Sequence, residues 1–138
     1  MFEKIINSKS IFSVGLSNSK EIDSDGIVIA TKSSMKKSLD KINYDYALID
    51  SVDLMINKPY FNFNKADSIS VSVAAASIIA KVCRDSMMSN IYDKLYPDYF
   101  FKNNKGYGSN KHIEIMKNIG LCPIHRKTFK PNSELIRK

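Results

Sequence analysis

The spacing of apolar and polar residues along the first part of the chain predicts both strands and helices. Residues 2–6 are typical of a helix end, and the alternating residues 11–16 predict a strand. Turn residues at 23–26 precede an amphipathic helix over residues 27–42. Its predicted inward stripe is Ile27, Ala30, Ser34, Met35, Leu39 and Ile42, with Lys32, Lys36, Lys37 and Lys41 facing outward.

A short apolar segment after this helix ends in a carboxylate. Residues 46–50 close with Asp50, as expected of a buried strand in an α/β sheet. Residues 60–64 predict a further short strand beyond the break at Lys58-Pro59. Strand, helix and strand in this order indicate a crossover unit, and sites in open α/β sheets lie at the carboxyl ends of strands. Asp50 is therefore a candidate site residue.

The central stretch of the chain predicts a long helix whose early turns carry small side chains. Residues 70–85 follow Lys65-Ala66-Asp67 and include three consecutive alanines, so this helix can approach a neighbour closely. We expect it to extend to about Leu95, where Tyr96-Pro97 ends it. The residues at the steps of a buried face are Val71, Ala75, Ile78 and Val82.

Two interpretations of Asp67 are open. As an N-cap, its carboxylate accepts a backbone N–H of the first helical turn. As a metal ligand, the same carboxylate is held in place by the tightly packed helix that follows it. Spacing alone favours the cap, because caps are far commoner than metal ligands.

The last third of the chain is rich in basic and aromatic residues. The loop at 98–108 precedes a short helix at 110–119, which Ser109 caps and Gly120 ends; the sequence after it predicts an irregular tail. The formal net charge is +7, and residues 1–101 carry 12 Lys/Arg and 12 Asp/Glu. The whole excess therefore lies in residues 102–138, which suits a polyanion such as a nucleic-acid backbone. The alternative is a solvated basic tail.

Length and composition indicate one domain of an ordinary globular protein. The chain has 138 residues, of which 43% are hydrophobic and 25% charged. Cys83 and Cys122 have no metal-ligand spacing, and we expect reduced thiols in a cytoplasmic protein. The first residues are charged and lack a long apolar run, so we expect neither a signal peptide nor a membrane span there.

Several motifs, in the same order, resemble type 2 ribonuclease H (ribonuclease HII). The resemblance covers roughly residues 2 to 131. Its strongest motifs are Lys65-Ala66-Asp67, residues 74–85, Lys105-Gly106-Tyr107-Gly108-Ser109 and Cys122-Pro123-Ile124-His125-Arg126. Its upstream motifs are Glu21-Ile22-Asp23, Gly26-Ile27, Ala30-Thr31, Met35 and Leu48-Ile49-Asp50.

This resemblance implies an α/β protein of ribonuclease H-like fold with a helical basic C-terminal part. It implies an endonuclease that cleaves the RNA strand of RNA–DNA hybrids and single ribonucleotides embedded in duplex DNA. Four carboxylates of the family hold two divalent metals, Mg²⁺ or Mn²⁺, and the resemblance puts the third at Asp50 and the fourth at Asp67. Two such ions, about 3.5–4 Å apart, activate the attacking water and stabilise the leaving oxygen.

Other residues take roles from the same resemblance. Tyr107 matches the tyrosine that packs on the sugar at the RNA–DNA junction, with a merely packed loop tyrosine as the alternative. Lys105, Arg126 and Lys127 are candidates for phosphate contact. We expect Arg84 and Asp85 to orient the helix and nearby loops, because Asp85 lies about 27 Å along the helix from Asp67 at 1.5 Å per residue. His112 and His125 are expected to be structural or to face phosphate.

The chain departs from the family pattern at its start. It has no strand with an adjacent aspartate and glutamate, no glycine-arginine-glycine segment and no serine-lysine-lysine motif. We therefore expect the C-terminal portion of a ribonuclease HII catalytic domain, from a split, truncated or mis-started enzyme. Such a chain would be weakly active or inactive alone, and a separate N-terminal fragment would supply the missing carboxylates. The alternatives are a non-catalytic nucleic-acid-binding remnant and a degenerate product without function.

Overall fold

The computed structural model describes residues 1–136, and Arg137 and Lys138, at the end of the basic segment, lie outside the described residues. The described chain divides into two compact units. The first comprises Met1–Ser17 and Ile27–Val82, and the second comprises Asn18–Gly26 and the chain from Cys83 onward. Whether the two units act as a single domain stays a prediction.

The elements follow one another mostly through short connections. In chain order they are α1 (Phe2–Ile6), α2 (Ser19–Asp25), α3 (Ile27–Leu39), β1 (Ala47–Asp50), β2 (Tyr60–Phe63), a 3₁₀ turn (Ala66–Ser68), α4 (Val71–Met87), a π-helical turn (Met88–Tyr92), α5 (Asp93–Leu95), a second 3₁₀ turn (Pro97–Tyr99), α6 (Phe101–Asn104), α7 (Asn110–Ile119) and α8 (Asn132–Ile136). The helix at 27–42, both later strands, the helical stretch to Leu95 and the helix at 110–119 are confirmed in type, with small shifts at their ends.

The first unit is built on two parallel strands. β1 pairs with β2 in a register that sets Ala47 opposite Tyr60 and Asp50 opposite Phe63. Alternate residues of β1 are buried, so Ala47 and Ile49 form a core with Leu54 from the following loop. The carboxyl ends of both strands therefore lie at the same edge, where Asp50 sits.

The predicted strand at 11–16 was wrong. These residues have no strand partner in the described structure; they run beside α3 and hydrogen-bond to it. The Ser13 hydroxyl donates to the Ser38 carbonyl, and the Lys41 ammonium donates to the Val14 carbonyl at 2.9 Å. A Cβ at Gly15 would stand 1.8 Å from the Ser34 carbonyl oxygen, so only glycine permits this close approach.

Two lysines, one in α3 and one just after it, therefore differ from the prediction. Lys37 and Lys41 were expected to point away from the protein, but their ammonium groups donate to the carbonyls of Leu16 and Val14. The reason is that residues 11–17 lack the backbone partners of a sheet, so lysine side chains from α3 and the turn after it satisfy carbonyl groups of this segment.

The start of α4 also differs from the cap interpretation. Asp67 lies inside the 3₁₀ turn, and Ser70 stands at the cap position. The Ser70 carbonyl accepts the first helical hydrogen bond from Ala74, and its hydroxyl lies 3.5 Å from the Val73 nitrogen. The predicted buried face of α4 was wrong. Its buried residues are Val73 and Ile79, whereas Val71 is exposed and the other predicted members, Ala75, Ile78 and Val82, are half-buried.

The second unit has its own aromatic core. Tyr99, Phe101, Met116 and Cys122 are buried together, and the rings of Tyr99 and Phe101 stack with centroids 5.6 Å apart. The loop predicted at 98–108 contains the helix α6, and the tail predicted as irregular contains α8. Among residues 1–136, the structure contains no helix with the length and apolar character that a membrane crossing requires.

Candidate active site

The first candidate site lies at the carboxyl end of β1. The Asp50 side chain is half-buried, and its Oδ1 accepts the backbone N–H of Ala66 at 3.0 Å. The Ser51 hydroxyl donates to the same oxygen at 3.0 Å. Both hydrogen bonds use Oδ1, so Oδ2 takes part in neither of them. Asp50 thus joins the strand end to the turn that carries Asp67.

Unusual backbone angles flank both carboxylates. Ser51 has a φ of 57° and Lys65 a φ of 58°, and both lie in the left-handed region that side chains with a Cβ rarely adopt. Ser51 follows Asp50 directly, and Lys65 opens the turn in which Asp67 is exposed. Such strained positions cluster at functional sites, where the surrounding structure holds them.

The chemistry of this edge suits a hard cation only in part. Carboxylate oxygens are the ligands that Mg²⁺ and Mn²⁺ prefer, and Asp50 and Asp67 supply them from adjoining elements. Within residues 1–136, however, no three His, Cys, Asp or Glu side chains converge on a common point as a metal centre would require. Two aspartates alone would offset the mutual repulsion of two clustered cations poorly.

The second candidate site surrounds Tyr107 in the other unit. The Arg84 guanidinium carbon lies 4.5 Å from the centre of the Tyr107 ring, a cation–π geometry. Arg84 also pairs with Asp85 at 3.0 Å, and the Tyr107 hydroxyl lies 3.5 Å from the same Asp85 oxygen. About half of Tyr107 stays exposed. One face of the ring is therefore supported by the protein while part of it can meet a ligand.

The loop before Tyr107 is fixed by buried polar contacts. The Asn104 side-chain oxygen accepts the Gly106 N–H at 2.7 Å, and Gly106 has a φ of 71°. The Lys105 ammonium donates to the Ser89 hydroxyl and the Lys102 carbonyl, so this candidate phosphate contact already has partners in the protein.

Arg126 and Lys127 lie on a segment that is anchored to α2. The Asp23 carboxylate accepts the backbone N–H groups of Lys127 and Thr128 at 2.8 and 2.9 Å, and the Thr128 hydroxyl at 2.7 Å. Burial raises the pKa of Asp23, but these hydrogen bonds and the Lys127 charge outweigh it and lower the pKa from its ordinary value. Both basic side chains remain exposed, with the Arg126 guanidinium 4.0 Å over the Phe129 ring.

Sequence reasoning missed two features of this unit. It gave Asp23 no role, although Glu21-Ile22-Asp23 was among the motifs that carried the resemblance. It also left His112 and His125 unconnected, whereas the structure buries both and sets their Nε2 atoms 3.2 Å apart. Burial lowers the pKa of each histidine and raises the pKa of the Cys122 thiol beside them.

Helices, a parallel strand pair and a carboxylate at the strand end define an α/β protein of ribonuclease H-like fold. The family model for ribonuclease HII matches residues 2–132. The chain belongs to the ribonuclease HII family, as its motifs predicted.

Curated relatives named ribonuclease HII match nearly the whole chain. The protein of Enterococcus faecalis is 41% identical over 138 residues, which cover 99% of this chain and 54% of that protein. The Listeria innocua protein is 43% identical over 97% of this chain and 52% of its own length. The Acholeplasma laidlawii protein is 41% identical over 100% of this chain and 68% of its own length. The chain thus spans about half the length of the first two relatives.

Proposed function

We propose that this chain carries part of the active site of an endoribonuclease. The enzyme would hydrolyse the RNA strand of RNA–DNA hybrids and cut at ribonucleotides embedded in duplex DNA. The observation that supports this proposal best is the hydrogen bond from the Ala66 N–H to Asp50, because it ties the turn of Asp67 to the end of β1. Family membership supplies the reaction class.

Asp50 and Asp67 are the proposed catalytic residues and metal ligands. Mg²⁺ or Mn²⁺, when bound, would activate water and stabilise the leaving oxygen. The protein's own contribution is to fix the orientation of the Asp50 carboxylate. Ser51 and Ala66 both donate to Oδ1, and neither of these hydrogen bonds uses Oδ2. Asp67 is exposed on its short 3₁₀ turn and does not cap α4, so its carboxylate can bind a cation without losing a capping hydrogen bond.

Nucleic-acid contact is proposed for the second unit. Tyr107 offers an exposed aromatic surface for a sugar or base, since aromatic side chains stack on nucleotides. Arg126 and Lys127 are exposed cations on the segment held by Asp23, and such cations contact phosphates. Lys105 is the fourth proposed contact, and it would exchange its hydrogen bonds to Ser89 and Lys102 for a phosphate.

Two further carboxylates are proposed to come from polypeptide outside residues 1–138. This follows from the donor count, because two aspartates offset the mutual repulsion of two cations poorly. A separate fragment could supply them. Free thiols at Cys83 and Cys122 fit the cytoplasmic location that we infer for the protein.

A complementation assay tests the proposal. The purified chain is incubated with Mn²⁺ or Mg²⁺ and two labelled substrates, an RNA–DNA hybrid and a DNA duplex with one ribonucleotide. Each reaction is run with and without the part of the Acholeplasma laidlawii relative that the chain does not match. Cleavage only on addition of that part, abolished by Asp67→Asn, is the expected result. Cleavage by the chain alone would refute the need for further carboxylates.

The second candidate function is non-catalytic binding of nucleic acid. It is favoured by the exposed Tyr107, Arg126 and Lys127. Binding of this kind should weaken with salt and ignore both Asp50→Asn and Asp67→Asn. Absence of cleavage in every reaction, together with salt-sensitive hybrid binding, would select this function instead. Absence of both cleavage and binding would leave a chain without function.

A further inference from the structure

The two histidines of the chain form a buried pair in the second unit. His112 is 1% exposed and His125 is 8% exposed, and their rings are nearly parallel with centroids 5.2 Å apart. Their Nε2 atoms lie 3.2 Å apart, within hydrogen-bond distance. One nitrogen must donate and the other accept, so the pair has a direction that its outer contacts decide.

The contacts of His125 decide its tautomer. The backbone N–H of Cys122 points at Nδ1 of His125 with a nitrogen–nitrogen distance of 3.0 Å. The Cys122 carbonyl oxygen lies farther from the same nitrogen, at 3.3 Å. Because a backbone N–H can only donate, the shorter contact leaves Nδ1 without a proton. The proton of the neutral ring therefore lies on Nε2, and His125 donates to His112.

The contacts of His112 agree with this direction. Its Nε2 accepts from His125, so its own proton lies on Nδ1. A hydrogen bond between this ring and the Tyr99 backbone carbonyl raises the pKa of His112, as donation from the ring would. The Asn104 amide nitrogen donates to the same carbonyl at 2.7 Å and lies 3.2 Å from Nδ1 of His112. Two donors that share one acceptor account for this spacing. If His112 instead donated to Nε2 of His125, the proton of His125 would lie on Nδ1 and face the Cys122 N–H.

Asn104 connects the pair to the loop of Tyr107. While its amide nitrogen meets Tyr99 and His112, its side-chain oxygen accepts the Gly106 N–H at 2.7 Å, and its backbone carbonyl accepts the Tyr107 N–H at 2.9 Å. A change in the protonation or position of the buried rings can therefore reach the backbone of Tyr107 through Asn104, which contacts His112 on one side and the Gly106 and Tyr107 N–H groups on the other.

We propose that His112 and His125 are a neutral pair with fixed tautomers, Nδ1–H on His112 and Nε2–H on His125, that positions the Tyr107 loop through Asn104. Both are positioning residues. Their link to substrate rests on the proposed role of Tyr107, whereas their tautomers and their link to the loop do not.

Protonation of either ring removes an acceptor on which this arrangement depends. A proton added to Nε2 of His112 would face the Nε2–H of His125, and one added to Nδ1 of His125 would face the Cys122 N–H. The ionisable groups packed against the pair are Tyr99 and Cys122, whose pKa values burial raises, so both stay neutral where histidine titrates. Asp98, the nearest carboxylate acting on Tyr99, is exposed. The loop should therefore lose its fixed position in acid.

A metal centre is a poorer account of the same side chains. The Cys122 sulfur lies 3.1 Å from Nδ1 of His125, whereas His112 approaches the opposite nitrogen of that ring. The three donor atoms therefore do not converge on one point, as tetrahedral coordination requires.

Nitrogen NMR of the full chain tests the tautomers directly. Long-range proton–nitrogen spectra of uniformly ¹⁵N-labelled protein at pH 7 contain two imidazoles, since the chain has two histidines. We expect one protonated nitrogen on each ring, Nδ1 of His112 and Nε2 of His125. The opposite tautomers, averaging between the two, or a charged ring at pH 7 would overturn the proposal. None of these outcomes depends on catalytic activity.

An isosteric variant tests the link to the loop. Asn104→Asp places a carboxylate beside the Nδ1–H of His112 and removes the amide donor to Tyr99. It should raise the pH of the acid transition of the pair by about one unit and shift the Gly106 and Tyr107 amide signals. The matched control is Asn103→Asp, at an exposed position of the same helix, which should do neither. If the two variants behave alike, Asn104 does not couple the pair to the loop.

Discussion

The Ala66 N–H donates to the Asp50 carboxylate at 3.0 Å, across 16 positions of sequence. Ala66 is fully buried, so this N–H has no water to replace a lost acceptor. Asp50 consequently has a structural role in addition to its proposed catalytic role, and charge and hydrogen bonding can be separated by the choice of substitution.

Asp50→Ala should therefore lower the free energy of unfolding by about 1–3 kcal/mol, because it leaves the Ala66 N–H buried without its acceptor. Asp50→Asn keeps an oxygen at Oδ1 and should change stability much less, while abolishing cleavage in the complementation assay. Urea denaturation followed by circular dichroism measures the first effect. Asp45→Ala, at an exposed turn, is the control. Equal stability of the alanine and asparagine variants would contradict this account.

The segment beside α3 gives a second prediction. Gly15→Ala places a methyl group 1.8 Å from the Ser34 carbonyl and should cost about 1–3 kcal/mol of stability, because the segment must move away from the helix. Gly108→Ala is the control, since nothing lies within 4 Å of a Cβ there. The comparison of thermal midpoints decides the point: similar values for the two variants would mean that residues 11–17 do not pack on α3.

The strand prediction failed for a reason that Gly15 illustrates. Alternation at 11–16 predicts a strand, but the partner of this segment is a helix. The local pattern cannot identify the partner of this segment, because the hydrogen bonds of Ser13 to Ser38 and of Lys41 to Val14 join residues 25 and 27 positions apart. By contrast, β1 and α7 were predictable, since an apolar run and a serine cap determine them locally.

The candidate site was predictable to a similar extent. Asp50 could be placed at a strand end from its own segment, and the motif match supplied Asp67 and Tyr107. The supports around them were not predictable: Arg84 meets Tyr107 from 23 positions away, and Asp23 meets Thr128 from 105 positions away. Contacts between such distant residues depend on tertiary packing that spacing does not encode.

Acid should destabilise the second unit in a defined range. Burial, with a smaller contribution from the charge of His112, lowers the pKa of His125 to about 4, against about 6.5 in an unfolded chain. The unfolded state then takes up the proton first, so stability is complete above pH 6.5 and declines as the pH falls toward 4. The loss attributable to His125 is about 3 kcal/mol. Urea titrations by tyrosine fluorescence at several pH values measure it.

His125→Gln serves as the comparison for this pH dependence. It should be less stable than the original chain at pH 7.5 but lose less stability between pH 6.5 and 4. Asp23 does not confuse the measurement: its pKa is lowered below 3.8 in the fold, so its contribution is present above that pH and disappears only below it. A flat stability profile of the original chain from pH 7 to 4.5 would contradict the buried neutral pair.

Tyr107 should act through its ring. Tyr107→Ala should weaken binding of an RNA–DNA hybrid by about tenfold, in line with roughly 1–3 kcal/mol for a stacked base. Tyr107→Phe keeps the ring over Arg84 and removes the hydroxyl, which lies 3.5 Å from Asp85, so its effect should be under about threefold. Fluorescence anisotropy with a labelled hybrid gives both values. Equal losses for the two variants would mean that the hydroxyl, not stacking, is what matters.

The basic residues should separate by salt dependence. Lys127→Ala removes an exposed cation and should reduce the slope of log affinity against log salt by about 0.9, without a loss of stability. Lys105→Ala should lower both the salt slope and the stability, because the Lys105 ammonium also donates to the Ser89 hydroxyl and to the Lys102 carbonyl. Lys9→Ala, at an exposed position of the first unit, is the control. An unchanged slope for Lys127→Ala would remove that residue from the interface.

Ser70 stands at the cap of α4 and Asp67 lies in the preceding turn. Helix capping and the proposed metal binding therefore depend on different residues. A population of variants under selection would therefore tolerate the two positions differently. At position 70, asparagine and aspartate should survive as well as serine, because they cap helices equally well. At position 67, tolerance should change with the metal supplied in the growth medium, whereas tolerance at position 70 should not. Helix capping and the proposed metal chemistry can thus evolve independently at positions three residues apart.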